Sequence, residues 1–168
     1  LEGGSHDNSD TYTVEEAVIL TAATKDGYTF EGWFTDDAFT TEITGITAGT
    51  TGDRSLFAKF NIETYTITYE TADGTHINPD TYTIVDEVTF SPATKEGYMF
   101  EGWFTDEVFT TEITGITAGT TGDMTLFAKF NIETYAITYE ADGGTHTNPD
   151  TYTVEDAITF EGATKDGF

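Results

Sequence analysis

The sequence contains no cysteine and only six basic residues, and these two shortages exclude several classes of function. Without cysteine, the chain can form no disulfide, no thiol nucleophile and no cysteine-based metal site. The six Lys and Arg residues stand against 31 Asp and Glu residues, which gives a formal net charge of −25. Because this charge repels phosphate groups, we expect no nucleic acid partner.

Long apolar runs are also missing. No run approaches the roughly 18 residues that suggest a membrane-spanning helix. The opening LEGGSHDNSD lacks the basic and apolar segments of a signal peptide, so a secreted form would be mature or trimmed. We therefore expect no membrane insertion. The 37% apolar and 14% aromatic content is nevertheless enough for a globular core.

Internal repetition dominates what is present. Residues 11–64 and 81–134 share 40 identities in 54 aligned positions, at a period of 70 residues. The segment YTITYE returns 70 residues later as YAITYE, and LEGGSH matches ADGGTH as a divergent copy. The predicted organisation is a repeat lacking its first strand (1–64), a complete repeat (65–134) and the first half of a further repeat (135–168).

Most of the repeat has the pattern of β-strands. Alternation in YTITYE predicts a half-buried strand, and TYTIVDEVTF predicts a second extended segment. GYMFEGWF predicts a strand with a bulge at Gly102 that re-aims Trp103, and MTLFAKF predicts a closing strand. TDEVFTTEI begins like a capped, acidic first turn and predicts one short helical turn. The fold class is therefore mostly β or α+β.

The aromatic residues allow two interpretations. Trp33 and Trp103, with Tyr28, Phe30, Tyr98 and Phe100, could form a platform for sugar rings. A 70-residue unit, however, usually needs its largest side chains in the core, so we favour a core role for both tryptophans.

No metal or cofactor site is predicted. His6, His76 and His146 occur once per repeat, so a metal site would need residues from different repeats or chains. The acidic pair Asp36 and Asp37 lies in no D-x-D-x-D-G loop, which disfavours a specific Ca²⁺ site and favours weak, nonspecific association with cations.

Catalytic residues are not predicted either. The chain has no G-x-S-x-G, H-E-x-x-H or phosphate-binding glycine loop, and tandem near-copies suit a spacer or a binding array better than an enzyme. Lys59 or Lys129 could form an isopeptide bond with Asn61 or Asn131, although lysines facing outward from the closing strand are a simpler explanation.

The frame of YTITYE, GYMFEGWFTD and TLFAKF resembles the Listeria-Bacteroides repeat, the internalin B-repeat type, over the whole chain. The resemblance implies tandem small β-grasp (ubiquitin-like) repeats, each a mixed sheet with one short helix, in extracellular or cell-surface bacterial proteins. It also implies a stalk or an adhesive module and no enzyme. The chain departs from the pattern by Phe60 and Phe130, where Trp is common, and by its Thr content and strong acidity.

Two functions remain open. In the first, the chain is a stalk or fibre subunit that self-associates with identical chains or adjacent repeats, head to tail, by strand complementation between its incomplete terminal repeats. Alternatively, the terminal repeats are incomplete because the sequence is a window cut from a longer repeat protein. In the second function, the chain is a repeat adhesin that binds a glycan or a host surface protein.

Overall fold

The computed structural model describes residues 3–165, which form β-strands and no helix. The predictions for residues 1, 2 and 166–168 lie outside the described residues. The strands are β1 (Val18–Ile19), β2 (Tyr28–Phe34), β3 (Glu42–Ile43), β4 (Gly45–Ile46), β5 (Phe57–Ile62), β6 (Tyr65–Glu70), β7 (Thr81–Tyr82), β8 (Val88–Thr89), β9 (Tyr98–Phe104), β10 (Glu112–Ile113), β11 (Gly115–Ile116), β12 (Met124–Ile132), β13 (Tyr135–Ala136) and β14 (Thr151–Tyr152). Within this range no helix is long and apolar enough to cross a membrane.

The largest sheet belongs to the complete repeat. It has five strands in the order β10-β9-β12-β6-β7, so the first strand of the repeat lies beside its last strand. The first repeat has a three-stranded sheet in the order β3-β2-β5, in which β5 is an edge. Two-stranded pairs β1-β4, β8-β11 and β13-β14 complete the set. The prediction of a mostly β fold is confirmed.

A bulge shapes the long hairpin of the first repeat and that of the complete repeat. The pairing of β9 with β12 shifts register and leaves Glu101 between two paired residues, Phe100 and Gly102. The first repeat has the same shift where β2 pairs with β5. The predicted bulge at Gly102 is confirmed, and Trp103 after it is buried. An extra residue in one strand changes which side the following side chains face, which is how the bulge directs the indole inward.

The segment TYTIVDEVTF forms two short strands, β7 and β8, and not the one extended segment that the composition predicts. The carboxylate of Asp86 accepts hydrogen bonds from the amide and the hydroxyl of Thr83, at 2.8 and 2.7 Å. In the last repeat Asp156 makes the same two bonds with Thr153, at 2.7 and 2.8 Å. This local turn interrupts the strand, because the aspartate side chain accepts a hydrogen bond from a backbone amide that would otherwise pair with a neighbouring strand.

The predicted helical turn in TDEVFTTEI is wrong. Between β9 and β10 the chain makes a tight turn, in which the Asp106 carboxylate accepts bonds from the amides of Thr110 and Thr111, at 3.0 and 2.9 Å. Phe109 has a φ of 57°, a left-handed conformation that an α-helix cannot include. Its ring packs edge-on against Phe104, with centroids 5.5 Å apart. The aromatic contact and the aspartate cap together stabilise the turn.

One isolated bridge marks the same place in all three copies of the repeat. It joins Ser5 to Thr24, Thr75 to Thr94 and Thr145 to Thr164. The hydroxyls of each pair also lie within hydrogen-bond distance, from 2.9 to 3.3 Å. The opening segment thus makes, at Ser5, the same bridge that the two later copies make.

The chain divides into two compact units, each drawn from more than one repeat. Unit 1 contains Leu1–Ile67, Asp80–Val88 and Ile116–Asp123, and unit 2 contains Thr68–Pro79, Thr89–Gly115 and Met124–Phe168. The buried apolar residues of unit 1 are Ala23, Trp33, Phe34, Ile46, Ile67, Tyr82 and Ile116. Those of unit 2 are Phe90, Ala93, Trp103, Phe104, Leu126 and Ala128. Each unit thus has its own core.

The aspartate turn predicts a pH dependence of stability. Hydrogen bonds from the amides of Thr110 and Thr111 hold the pKa of Asp106 below its ordinary value. A lowered folded-state pKa stabilises the fold above the ordinary aspartate pKa, and that stability is lost as the pH falls through the lowered value. We expect Asp106→Asn to reduce the urea midpoint at neutral pH, and the difference from the parent chain to shrink in acid.

Glu107→Gln is the matched control, because it removes the same charge from the neighbouring exposed position. Urea unfolding from neutral pH to pH 3 measures both variants. An equal loss of stability in the two variants at neutral pH would show that net charge, and not the turn, causes the effect.

Candidate functional site

The most regular contact in the molecule joins consecutive repeats and is made by a glycine turn. Gly27 of the first repeat has a φ of 72°, and a Cβ atom built on it would lie 2.6 Å from the Cβ of Ile84 in the complete repeat. Gly97 of the complete repeat has a φ of 75°, and its Cβ would lie 2.5 Å from that of Val154 in the last repeat. Only glycine fits at these two positions, because other residues disfavour a positive φ and their Cβ atom would collide with Ile84 or Val154.

The link between the first and the complete repeat is only two residues long. Glu63 and Thr64 join β5 to β6, and the Glu63 amide donates to the Gly27 carbonyl at 2.9 Å. The Tyr65 hydroxyl donates to the Glu63 carboxylate at 3.0 Å, and the Tyr65 ring lies against Tyr82 with centroids 5.5 Å apart. The backbone bond, the hydroxyl bond and the ring contact leave the link little conformational freedom.

The next link repeats this arrangement. The Glu133 amide donates to the Gly97 carbonyl at 2.9 Å, and the Tyr135 hydroxyl donates to the Glu133 carboxylate at 2.6 Å. The rings of Tyr135 and Tyr152 have centroids 5.3 Å apart. We call this set of contacts, around Gly27 in the first copy and Gly97 in the second, the repeat junction.

The two copies of the repeat junction differ in their side-chain contacts: the glycine faces Ile84 in the first copy and Val154 in the second. In the second copy the Tyr98 hydroxyl donates to the Glu155 carboxylate, whereas the residue that corresponds to Glu155 in the first copy is Val85. The hydrogen bond to Glu155 raises the pKa of Tyr98. The backbone and ring contacts therefore recur, and one side-chain bond is specific to the second copy.

The junction tyrosines are held as neutral hydrogen-bond donors. Burial, followed by the bond to Glu63, raises the pKa of Tyr65, and burial also raises the pKa of Tyr82. The bond to Glu133 is the main cause of the raised pKa of Tyr135. A raised folded-state pKa favours the protonated form, so the contribution is present below the ordinary tyrosine pKa and is lost in strong alkali.

The two tryptophans belong to the core, as predicted. Trp103 is 2% exposed, and its indole nitrogen donates to the Ser91 carbonyl at 2.9 Å. Trp33 is also buried, and its indole nitrogen donates to the Thr21 carbonyl at 2.7 Å. A ring that is buried and hydrogen-bonded cannot stack on a sugar, so the tryptophans form no binding platform.

The histidines pack against aromatic rings. The ring centroids of His76 and Tyr69 are 4.0 Å apart, and those of His146 and Tyr139 are also 4.0 Å apart. The ring centroids of His6 and Trp33 are 5.5 Å apart. Over residues 3–165, no group of three or more His, Cys, Asp or Glu side chains is placed to hold a metal ion.

The lysines considered for an isopeptide bond are paired with glutamates. Lys129 Nζ donates to Glu101 Oε1 at 2.7 Å, and Asn131 Nδ2 donates to the other carboxylate oxygen at 2.9 Å. Both bonds lower the pKa of Glu101, with the lysine bond the largest cause. Lys59 makes the corresponding bond to Glu31 at 2.6 Å. These groups form a polar cross-strand cluster on a half-exposed face.

Comparison with known proteins agrees with this repeat geometry. The sequence profile of the Listeria-Bacteroides repeat domain matches residues 1–59 and 65–129. The chain belongs to the Listeria-Bacteroides repeat family. No solved structure matches it significantly.

Relatives with the repeat include much longer proteins. A protein of Evansella cellulosilytica, provisionally named a Gly-rich membrane protein, is 34% identical over 123 residues, which cover 71% of this chain and 14% of the relative. Internalin H of Listeria monocytogenes is 34% identical over 112 residues, which cover 66% of this chain and 20% of the relative. The chain thus spans a fifth or less of the length of these two relatives.

Sequence reasoning found the Listeria-Bacteroides repeat but missed its junction. The signal that could have identified it is the spacing of the glycine turn TK(D/E)GY, which precedes the segments TYTI (81–84) and TYTV (151–154) by the same interval. Nothing in that spacing, however, states that Gly27 and Ile84 touch, because their contact depends on the tertiary fold.

The repeat junction predicts how much stability the chain loses when one methyl group is added at Gly27. Gly27→Ala should lower the free energy of unfolding for two reasons. A side chain at this positive φ costs about 1–2 kcal/mol, and the collision of its methyl group with Ile84 costs about 1–3 kcal/mol. Gly49 has a φ of 89° with nothing near its Cβ position, so Gly49→Ala carries only the first cost. We expect Gly27→Ala to lower the free energy of unfolding by the larger amount in urea titrations. Equal losses would show that the contact with Ile84 contributes nothing.

Proposed function

We propose that these repeats form a non-enzymatic stalk or fibre segment of an extracellular or cell-surface bacterial protein. The observation that carries the proposal is the recurrence of the repeat junction. The same glycine contact, amide bond and tyrosine pair occur at both transitions between repeats. In repeat proteins, stability is close to a sum of repeat terms and nearest-neighbour terms, so a recurring junction couples each added repeat to the one before.

The surface location is supported by the family and by the relatives. One relative is provisionally named a Gly-rich membrane protein and another is Internalin H. The net charge of −25 suits a stalk, because like-charged chains repel each other and stay dispersed. The stalk proposal includes self-association of identical chains or adjacent repeats.

We infer that each repeat is a β-grasp variant in which an aspartate turn stands where the helix was expected. The support is the central position of β6 and β12, the first and last strands of one repeat, as neighbours in the five-stranded sheet. The turn at Asp106 connects the hairpin strands without any helical residues.

Adhesion to a glycan or a host protein is the competing function. It would need accessible recognition groups, and burial of Trp33 and Trp103 removes the strongest candidates for stacking on sugars. The stalk is therefore the function that the contacts of the described residues support best.

The stalk proposal predicts that the repeats unfold together. In scanning calorimetry, we expect one transition for the parent chain, with equal calorimetric and van't Hoff enthalpies, because the junctions couple neighbouring repeats. Gly27→Ala should lower the van't Hoff enthalpy below the calorimetric value, and Gly49→Ala should keep the two equal. Independent transitions in the parent chain would overturn the proposal.

Tryptophan fluorescence tests the competing function. We expect a blue emission maximum from the parent chain, since both indoles are buried, and no change on addition of glycans or host surface glycoproteins. Saturable binding that quenches the emission would favour an adhesin.

A further inference from the structure

We propose that the complete repeat is built to bear tension, because its first strand, β6, and its last strand, β12, slide past each other when the repeat is pulled by its two links. We call this pair of strands the clamp. The biological use of the clamp rests on the proposed stalk function, and the clamp deepens that function by naming what one stalk segment does under load.

The two strands of the clamp lie in the middle of a sheet. β6 and β12 are hydrogen-bonded neighbours in the five-stranded sheet, where β7 flanks β6 and β9 flanks β12. Ile67 of β6 is buried, and so are Leu126 and Ala128 of β12. Water therefore has little access to the backbone hydrogen bonds of the clamp, and it cannot easily replace them as they lengthen.

The two strands run in the same direction, as the contacts near their ends show. At the start of β6, the Thr66 amide donates to the carboxylate of Asp123, the residue directly before β12, at 2.7 Å. Beyond the end of β6, a Cβ atom built on Gly74 would lie 3.0 Å from the ring of Phe130, which is close to the end of β12. The start of one strand thus lies beside the start of the other, and end lies beside end, so β6 and β12 are parallel.

The links of the chain reach the clamp at opposite ends. Thr64 directly precedes β6, and Thr134 follows the end of β12 by two residues. Because the strands are parallel, tension between these two residues pulls β6 and β12 along their axes in opposite directions. Every backbone hydrogen bond between the strands then shares the load, and all of them must lengthen before the strands separate.

Two further hydrogen bonds reinforce the end at which β6 is pulled. One is the bond between the Thr66 amide and Asp123. In the other, the Tyr82 hydroxyl donates to the Gly122 carbonyl at 2.5 Å. Tyr82 lies in β7, on the far side of β6 from β12, so its buried side chain reaches across β6. Both bonds join the start of the repeat to the segment that leads into its last strand.

The test pulls the full chain in two directions. Since the chain has no cysteine, pairs of introduced cysteines define where the handles of an optical trap attach. Thr64→Cys with Thr134→Cys pulls the strands of the clamp past each other. Thr64→Cys with Thr121→Cys pulls on the end where both strands start, so their hydrogen bonds break one after another. All three threonines are exposed.

We expect the unfolding force at one loading rate to be about twofold higher, or more, for the pair at Thr64 and Thr134, because many bonds resist together in that direction. Both cysteine pairs test the same folded repeat, so a general loss of stability cannot produce a difference between directions. Equal unfolding forces in the two directions would overturn the proposal.

Tyr82→Phe tests the bond that reaches across β6. With the handles at Thr64 and Thr134, we expect its unfolding rate at a fixed force to rise about fivefold, the effect of losing one ordinary hydrogen bond. Tyr12→Phe is the matched control, because Tyr12 makes the same bond to the Gly52 carbonyl in the first repeat, outside the pulled segment. Equal rates for the two variants would overturn the assignment of the Tyr82 bond to the clamp.

The clamp and the stalk fail in different experiments. Independent calorimetric transitions, together with a force that still depends on direction, would leave the clamp in place and overturn the stalk. Coupled unfolding of the repeats, together with a force that is the same in both directions, would leave the stalk in place and overturn the clamp.

Discussion

The core of the complete repeat depends on bringing the first strand of the repeat beside its last. The indole of Trp103 shows this requirement, because it contacts Tyr69 from the first strand and Phe100 from the hairpin, with centroids 5.1 and 5.5 Å apart. No local segment of the repeat can bury that ring alone. Segments from both ends of the complete repeat therefore contribute to the surroundings of Trp103.

The repeat junction follows from the same requirement. The next repeat starts close to the end of the last strand, because only Glu63 and Thr64 connect β5 to β6. The short link brings the turn at Gly27 against Ile84, where a side chain larger than hydrogen would collide. A rule for packing inside a repeat thus also fixes the contact between repeats.

The sequence predicted the repeats, the bulge at Gly102 and the core role of the tryptophans, because periodicity and side-chain size are local properties. The prediction of a helical turn at TDEVFTTEI was wrong, because an aspartate that accepts hydrogen bonds from backbone amides is compatible with either a helix start or a turn. The decision came from Phe109, whose left-handed backbone is stabilised by contact with Phe104. Sequence reasoning also missed the junction, since this is made by residues far apart in the chain, and a pattern of residue types carries no distance.

Free strand edges are a hazard for a tandem β-protein, because any exposed edge can pair with any other. The acidic surface opposes this nonspecific pairing over distances of about 8 Å at physiological salt, and it does so for all chains alike. Selective strand pairing within a repeat must then come from short-range features that only the correct strand satisfies. In the complete repeat those features are the burial of Ile67, the packing of Tyr69 against Trp103, and the bond between Asp123 and a backbone amide. Charge opposes association in general, and the contacts around the tryptophan select the strand that pairs within the complete repeat.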